Sequence, residues 1–434
     1  MVLVYVQKST SRIKYAFNLL LRDLIQVPFE LCNDPQIFEA HEGAKFSYHS
    51  SPLGDELFIQ ANNLLFENGI IEQEIVPFDW NDTTAFFATS SKSNFEFDIF
   101  AAAFYMAVRY EEYLPHKRDA HDRFEATQSI TTKFNFIEKP VVNQWSEEFW
   151  LLLKTKFPTL TRKERTYQFI TTVDVDNAFA YKEKGFVRTV AGFLKDLFSL
   201  QFKRLKTRFL VTLNQQKDPY DTYSYQLEMI QKHQLKFIYF FLIGDYGMND
   251  KNIPLSNQAF QSLIKQLGDY AQVGIHPSYG SNEHFKKLEK EVIRLEPILK
   301  REITQSRQHF LRVKFPETYR NLIELDIFND YSLGYNTHCG FRAGLCTPFY
   351  FYDLDLEVET RLLIHPFAVM EGTLKYFLNL KPKEAIEKYQ QLIDEVKQVN
   401  GTFISMWHND SLCDEGEWKG WKSTFEKMIE YGKS

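Results

Sequence analysis

Cysteine, long apolar runs and an excess of charge are all scarce in this 434-residue chain. Only four cysteines occur (Cys32, Cys339, Cys346, Cys413), none in a CxxC pair. That excludes a cysteine-built zinc module and a disulfide scaffold, and predicts free, buried thiols. The longest unbroken apolar run, 99–108, is ten residues, where a membrane-crossing helix needs about 20. The opening MVLVYVQKSTSRIKYAFNLLL lacks a basic region ahead of an apolar core and a small-residue cleavage site. It reads as a strand followed by a helix, so a soluble cytoplasmic protein is expected. With 51 Lys and Arg against 57 Asp and Glu, the net charge is −6, which argues against a dedicated nucleic-acid binder.

Aromatic residues, by contrast, are plentiful. The chain holds 40 Phe, 23 Tyr and 6 Trp, most of them required for cores because rings bury the most apolar area per residue. Residues 1 to about 85 alternate short apolar runs (LVYV, LFIQA, IIEQEIVPF) with a helical stretch at 12–24, which predicts a small N-terminal α/β module over 1–150. The segment 98–113 reads as a strong amphipathic helix ending in a charged patch. The polar loop 117–129 after it carries Asp119, His121, Asp122 and Arg123, a composition typical of solvated loops. From 160 to 434 strand-like apolar runs alternate with helical segments. Strands are expected at 167–173, 236–243, 272–276, 310–314, 362–369 and 402–407. Helices are expected at 257–271, 283–303 and 382–399, with Pro297 kinking or dividing the second. Such alternation predicts a parallel sheet, open or closed into a barrel.

The insertion 181–217 stands apart. It holds nine Lys and Arg against Glu183 and Asp196, a balance of +7 in an acidic chain, with Phe186, Val190, Phe193, Leu194, Leu197, Phe198 and Phe202 interleaved. A basic amphipathic stretch of this kind can make peripheral contact with an anionic membrane. The same pattern also fits a helical hairpin whose apolar face packs on the sheet while Lys stems reach outward.

Chemistry-bearing residues fall at the trailing ends of the strands. The first ends in Asp174-Val175-Asp176-Asn177; residues i and i+2 of a strand share a face, so both carboxylates reach one mouth. Two carboxylates that close repel unless a metal or an arginine compensates. Further strand ends carry His276-Pro277-Ser278-Tyr279 and His408-Asn409-Asp410, and Arg307, His309, Arg312 and Arg342 lie in the segments between. In parallel α/β folds, ligand and catalytic groups gather at such ends.

In this order the motifs resemble those of the polysaccharide deacetylases (NodB-homology, carbohydrate esterase 4-like), and in particular a two-domain branch with an extra N-terminal module. The resemblance covers about 165–415. It implies a distorted (β/α) barrel over 160–434 and a divalent metal, most plausibly zinc, bound by Asp176 and His276. Asp174 would be the base and His408 the general acid, with Arg307 and Arg342 holding Asp174 or the substrate. The family's second motif is often HxxxH, but Gly280 occupies the partner position. The third ligand is therefore assigned to His309, with His284 as a weaker alternative and Ser278 or Tyr279 reaching the metal through a water. The implied reaction is hydrolysis of an N-acetyl group from a carbohydrate, either a polysaccharide or its lipid- or nucleotide-linked precursor. Two other readings stay open: a carbohydrate-binding pseudoenzyme, and a metal-independent glycoside hydrolase pairing Asp174 with Glu371.

Overall fold

The computed structural model describes residues 1–434 and arranges the apolar runs in two main sheets. In the first, β1 (Val2–Val6), β2 (Phe29–Cys32), β3 (Lys45–His49) and β4 (Leu57–Gln60) pair in parallel in the order β2-β1-β3-β4. β1 is buried at every residue, as a central parallel strand covered on both faces must be. Thr10 caps the helix Ser11–Phe17 by accepting from the Ile13 N–H. The helix continues as a π-helix over Asn18–Ile25, so the helical stretch extends through the predicted region. Most of the run 70–78 is irregular instead of extended, and a short antiparallel hairpin, β5 (Phe78–Trp80) and β6 (Thr83–Ala85), follows.

The second sheet has nine strands: β7 (Gln168–Val175), β8 (Lys236–Phe241), β9 (Gln272–Ile275), β10 (Gln305–Ser306), β11 (Asn329–Asp330), β12 (Phe349–Asp353), β13 (Val358–Ile364), β14 (Val369–Met370) and β15 (Thr402–His408). Their order is β12-β13-β11-β10-β9-β8-β7-β15-β14. Only β12 with β13 is antiparallel. No strand ladder joins β12 to β14, so regular pairing does not trace the expected barrel; single backbone bonds (Phe367 N–H to Leu333 O, Ala368 N–H to Ile404 O) link the stretch after β11 to β15 instead. Closure needs a continuous staggered ladder, and β10, β11 and β14 are two residues each. Near β14 the backbone partners come from a loop instead: the Gly340 N–H donates to Ala368 O, and the Phe341 N–H donates to Ile137 O. The architecture is a mixed α/β one built on mostly parallel sheets.

Register aligns the strand ends that matter. His408 of β15 lies opposite Asp174 of β7, Asp174 opposite Phe240 of β8, and Phe240 opposite Gly274 of β9. Gly274 admits this close packing, since a Cβ there would sit 2.6 Å from the Phe240 ring and 2.7 Å from Gln305 O. The predicted strand at 310–314 is absent. Phe310 and Leu311 have φ of 60° and 55°, a backbone that ends extended structure, and the actual strand is β10. Pro297 does not divide its helix, which runs Phe285–Leu299 with the proline in the last turn. All four cysteines are free, Cys339 and Cys346 being buried.

One apolar core of 103 residues serves both sheets, including Val2 and Phe100 as well as Trp407 and Ile429. Helix Ile99–Ala107 runs inside it with all nine residues buried, so it is not amphipathic. A helix surrounded by protein needs no polar face. It begins on Asp98, which accepts from the Phe100 and Ala101 N–H groups, and is followed by Arg109 at φ 56°. Arg109 donates to Glu112 (2.8 Å) and Glu111 (2.5 Å), and Arg342 donates to both oxygens of Glu112 at 2.9 and 2.5 Å. This buried cluster ties segments 230 residues apart.

Removing one partner strands the others in low dielectric. Glu112→Ala is expected to cost about 3–5 kcal/mol in urea unfolding, because buried Arg342 loses its only counter-charge while Arg109 keeps Glu111 alone. Removing Asp326, exposed and paired with Arg361, should cost less than about 1 kcal/mol. Equal small losses would show that the cluster does not hold the two halves together.

Candidate active site

Asp174 and Asp176 occupy the end of β7 and its exit. Asp174 is fully buried. Arg307 Nη1 donates to Asp174 Oδ1 (3.1 Å) and to Thr172 Oγ1 (2.6 Å), while Arg307 Nε donates to Tyr331 O (3.0 Å). Arg307 is itself fully buried and lies 4.8 Å from the Phe240 ring centre. It therefore neutralises and orients the carboxylate at once. Asp174 Oδ2 has no hydrogen-bond partner and lies 3.7 Å from His276 Nε2.

Three side chains converge beside it. One ligand atom each of Asp176, His276 and His309 lies within 4.8 Å of the others. His276 Nε2 is 3.2 Å from Asp176 Oδ1, and His309 Nε2 is 3.5 Å from Asp176 Oδ2. The far side of each ring is occupied: His276 Nδ1 meets Arg307 O at 2.6 Å, and His309 Nδ1 meets Asp250 Oδ1 at 2.9 Å. Those acceptors fix the proton on Nδ1 and turn each Nε2 lone pair toward the carboxylates, the arrangement that metal-binding histidines use. Asp176 Oδ1, buried and without a hydrogen-bond partner, completes a donor set of two nitrogens and an oxygen that suits a divalent cation. Desolvation works against its charge, yet the His309 and His276 imidazoles hold Asp176 well below the ordinary carboxylate range. Burial would lower His309, but Asp176 and Asp250 outweigh it and push the ring up to about 9.

His408 at the end of β15 faces the same pocket. Its Nδ1 donates to Glu371 Oε1 (2.8 Å), which also accepts the His408 backbone N–H (2.8 Å). Desolvation disfavours the imidazolium, but Glu371 overrides it and raises His408 well above its usual value. Asp410, two residues on, is pushed up to about 6 by burial. The pocket holds about 400 Å³ and is lined by Asp176, His276, His309, Glu371, His408 and Asp410, with Phe310, Tyr376, Phe377 and Trp418 among its apolar walls.

Of the residues singled out in the sequence, Asp174, Asp176, His276, His309, Arg307 and His408 come together here. Arg342 does not: its guanidinium is spent on Glu112 and Gly334 O, so it holds neither Asp174 nor a pocket wall. His284 is exposed at a helix start, away from the cluster. Ser278 is bound by Glu291, and Tyr279 packs on His121. Glu371, weighed as a glycosidase carboxylate, is engaged in orienting His408. The polar loop 117–129 is not merely solvated, because His121 and Arg123 line the pocket, and Arg123 donates to Phe310 O (2.8 Å). Asp250 escaped notice in the sequence, being a lone acid in a polar loop with no periodic or motif signal.

The stretch 2–158 matches a family described as "Family of unknown function (DUF7033)"; it ends before every member of the Asp–His cluster. No curated protein matches the chain. Among solved structures, a putative polysaccharide deacetylase from Mycobacterium smegmatis is 12% identical, with 62% of this chain and 85% of that one covered at a TM-score of 0.39. BA3943, a CE4 family pseudoenzyme from Bacillus anthracis, is also 12% identical, with 62% of each chain covered and a TM-score of 0.29. The carbohydrate deacetylase Agd3 is 8% identical over 68% of this chain and 54% of its own, with a TM-score of 0.37.

A metal entering this cluster must displace the His309 proton. Below about pH 9, affinity for a divalent ion should rise about tenfold per pH unit and then level off. In the metal-free protein the sign reverses: the stability from protonated His309 is fully present below pH 6.5 and lost as pH rises through about 9. Asp250→Asn should weaken metal binding about 10–100-fold, as titration calorimetry would measure. A flat pH profile together with an unaffected Asp250 variant would contradict the assignment.

Proposed function

We propose that the protein is a metal-dependent hydrolase that removes the acetyl group from an N-acetylated sugar. The observation that carries this reading is the placement of a buried, Arg307-held Asp174 in register with His408 beside the Asp176–His276–His309 cluster. A binding protein needs neither a desolvated base nor an imidazole kept charged by a buried carboxylate. Gly280 stands at the HxxxH partner position, and His309, whose Nε2 faces Asp176, would serve as the third ligand in its place.

Asp176, His276 and His309 would hold the cation, and their one-oxygen, two-nitrogen donor set favours zinc. Bound there, it supplies Lewis acidity that polarises a carbonyl and acidifies a water. Asp174 accepts the attacking water's proton at its free Oδ2, held in place by Arg307 on Oδ1. His408, whose imidazolium is favoured by Glu371, gives its proton to the amide nitrogen as the C–N bond breaks, since that nitrogen leaves poorly as an anion. Atoms balance as acetate and a free amino sugar. The rings of Phe310, Tyr376 and Trp418 offer flat apolar walls for a sugar face beside a few polar groups.

Asp174→Asn removes the base but not a ligand, so it should keep metal and lose turnover by about 10²-fold or more. Asp176→Asn should lose both metal and turnover. Acetate release from N-acetylglucosamine oligomers, read beside metal content, separates the two. Full activity in both variants would contradict the mechanism. Release of sugar without acetate would favour a glycoside hydrolase.

A further inference from the structure

The insertion folds as two helices, Gly185–Phe198 and Phe202–Thr212, and its apolar face does not pack on the sheet. The first helix buries a single residue, Asp196, which accepts from Arg208 Nε at 2.7 Å. Phe186, Val190, Leu194 and Leu197 recur at helical spacing on one stripe, and all are exposed. Phe186 is 83% and Phe198 80% exposed, and further exposed apolar residues follow: Leu200 in the turn, Phe202 and Phe209 in the second helix, and Leu213 just after it. Apolar surface of this extent on one element marks a contact surface.

Charge identifies what covers it. Lys195, Lys203, Arg204, Lys206 and Lys217 are exposed around the stripe. Of the two acids, Asp196 is buried against Arg208, and Glu183 at the base accepts from Asn257. Acidic charge is thus confined to the base, at Glu183 and at Asp221 beside Lys217, and to the buried Asp196, while the outer surface of the hairpin is apolar with a cationic border. That combination fits anionic lipid, where rings and aliphatic groups enter the interface while Lys and Arg meet head groups. The neck of the hairpin is part of the pocket rim. Asn177 before it and Tyr220 after it both line the pocket, and the Asp218 carboxylate accepts from the N–H groups of Ala180, Tyr181, Lys182 and Tyr220.

We propose that the hairpin 185–212 docks the protein on an anionic bilayer surface and so opens the pocket toward head groups carried in that bilayer. Resting on the proposed function, this makes the substrate an N-acetylated sugar linked to a lipid in place of a free polymer.

The test is co-sedimentation of the full chain with phosphatidylcholine vesicles and with vesicles carrying about one-third phosphatidylglycerol. Wild type should partition at least about tenfold more strongly to the anionic vesicles and be released by salt. The triple variant Phe186→Ser, Phe198→Ser, Phe202→Ser and the triple variant Lys203→Gln, Arg204→Gln, Lys206→Gln should each lose about tenfold or more of that binding. Because these side chains are exposed, both variants should keep wild-type circular dichroism and metal content. Absence of vesicle binding, or equal binding by wild type and variants, would overturn the proposal. So would a hairpin-dependent dimer on gel filtration without vesicle binding, which would assign the face to a second copy. Acetate release from a vesicle-embedded, lipid-linked N-acetyl sugar, reduced in both variants, would support the substrate class. Vesicle binding with no acetate from any sugar would instead overturn the proposed function and leave the docking intact.

Discussion

Crowding of negative charge at one end of a parallel sheet is the constraint on which the site depends. Asp174, Asp176, Asp250, Glu371 and Asp410 gather around two strand ends, and neighbouring carboxylates in a desolvated pocket cannot all ionise unless positive charge is built in. The protein supplies it in graded form. Arg307 is fixed on Asp174 and orients that carboxylate. His408 draws its proton from the field of Glu371. The remaining demand falls on His276 and His309, whose Nε2 atoms face Asp176. A proton on His309 answers it in part; a divalent cation would answer it further while giving the orphaned oxygen of Asp176 a partner.

The fold meets this demand through register. Parallel pairing of β15, β7 and β8 sets His408 level with Asp174, and glycine at 274 lets β9 and β10 draw close enough to bring His276 beside Arg307. The N-terminal third contributes by packing into the shared core and by the Arg109–Glu112–Arg342 cluster, which anchors the loop leading to β12. Through His121 and Arg123 it also supplies part of the pocket wall. Remote burial and local chemistry are thus joined by the same segments.

Much of this was legible in the sequence because buried parallel strands carry continuous apolar runs, as 236–241 and 402–407 do, and because chemistry collects at their ends. The pair Asp174 and Asp176, His276 and His408 could be read that way. Where side chains are short of periodic signal, reading failed. β10 is two polar residues, so the apolar stretch after it looked like the strand, although positive φ at Phe310 and Leu311 turns the chain there. Arg342 resembled a site arginine, but its partner lies 230 residues away and no local pattern reports it. Asp250 is visible only once its oxygen is seen 2.9 Å from His309. Arg109 and the acids beyond it give the stretch 98–113 an amphipathic pattern, but the helix ends at Ala107 and Arg109 turns away at φ 56°. The strands β10, β11 and β14, two residues each, are too short to leave a periodic signal or a regular ladder that would trace a barrel.

The most direct test of the central claim, that this cluster of carboxylates and imidazoles exists to hold a cation, is the metal content of the purified protein by elemental analysis, wild type beside His276→Ala and His309→Ala. About one equivalent of divalent metal in wild type, lost in both variants while the fold is retained, is the predicted result. No metal in wild type after reconstitution at pH 8, or full occupancy in both variants, would contradict it.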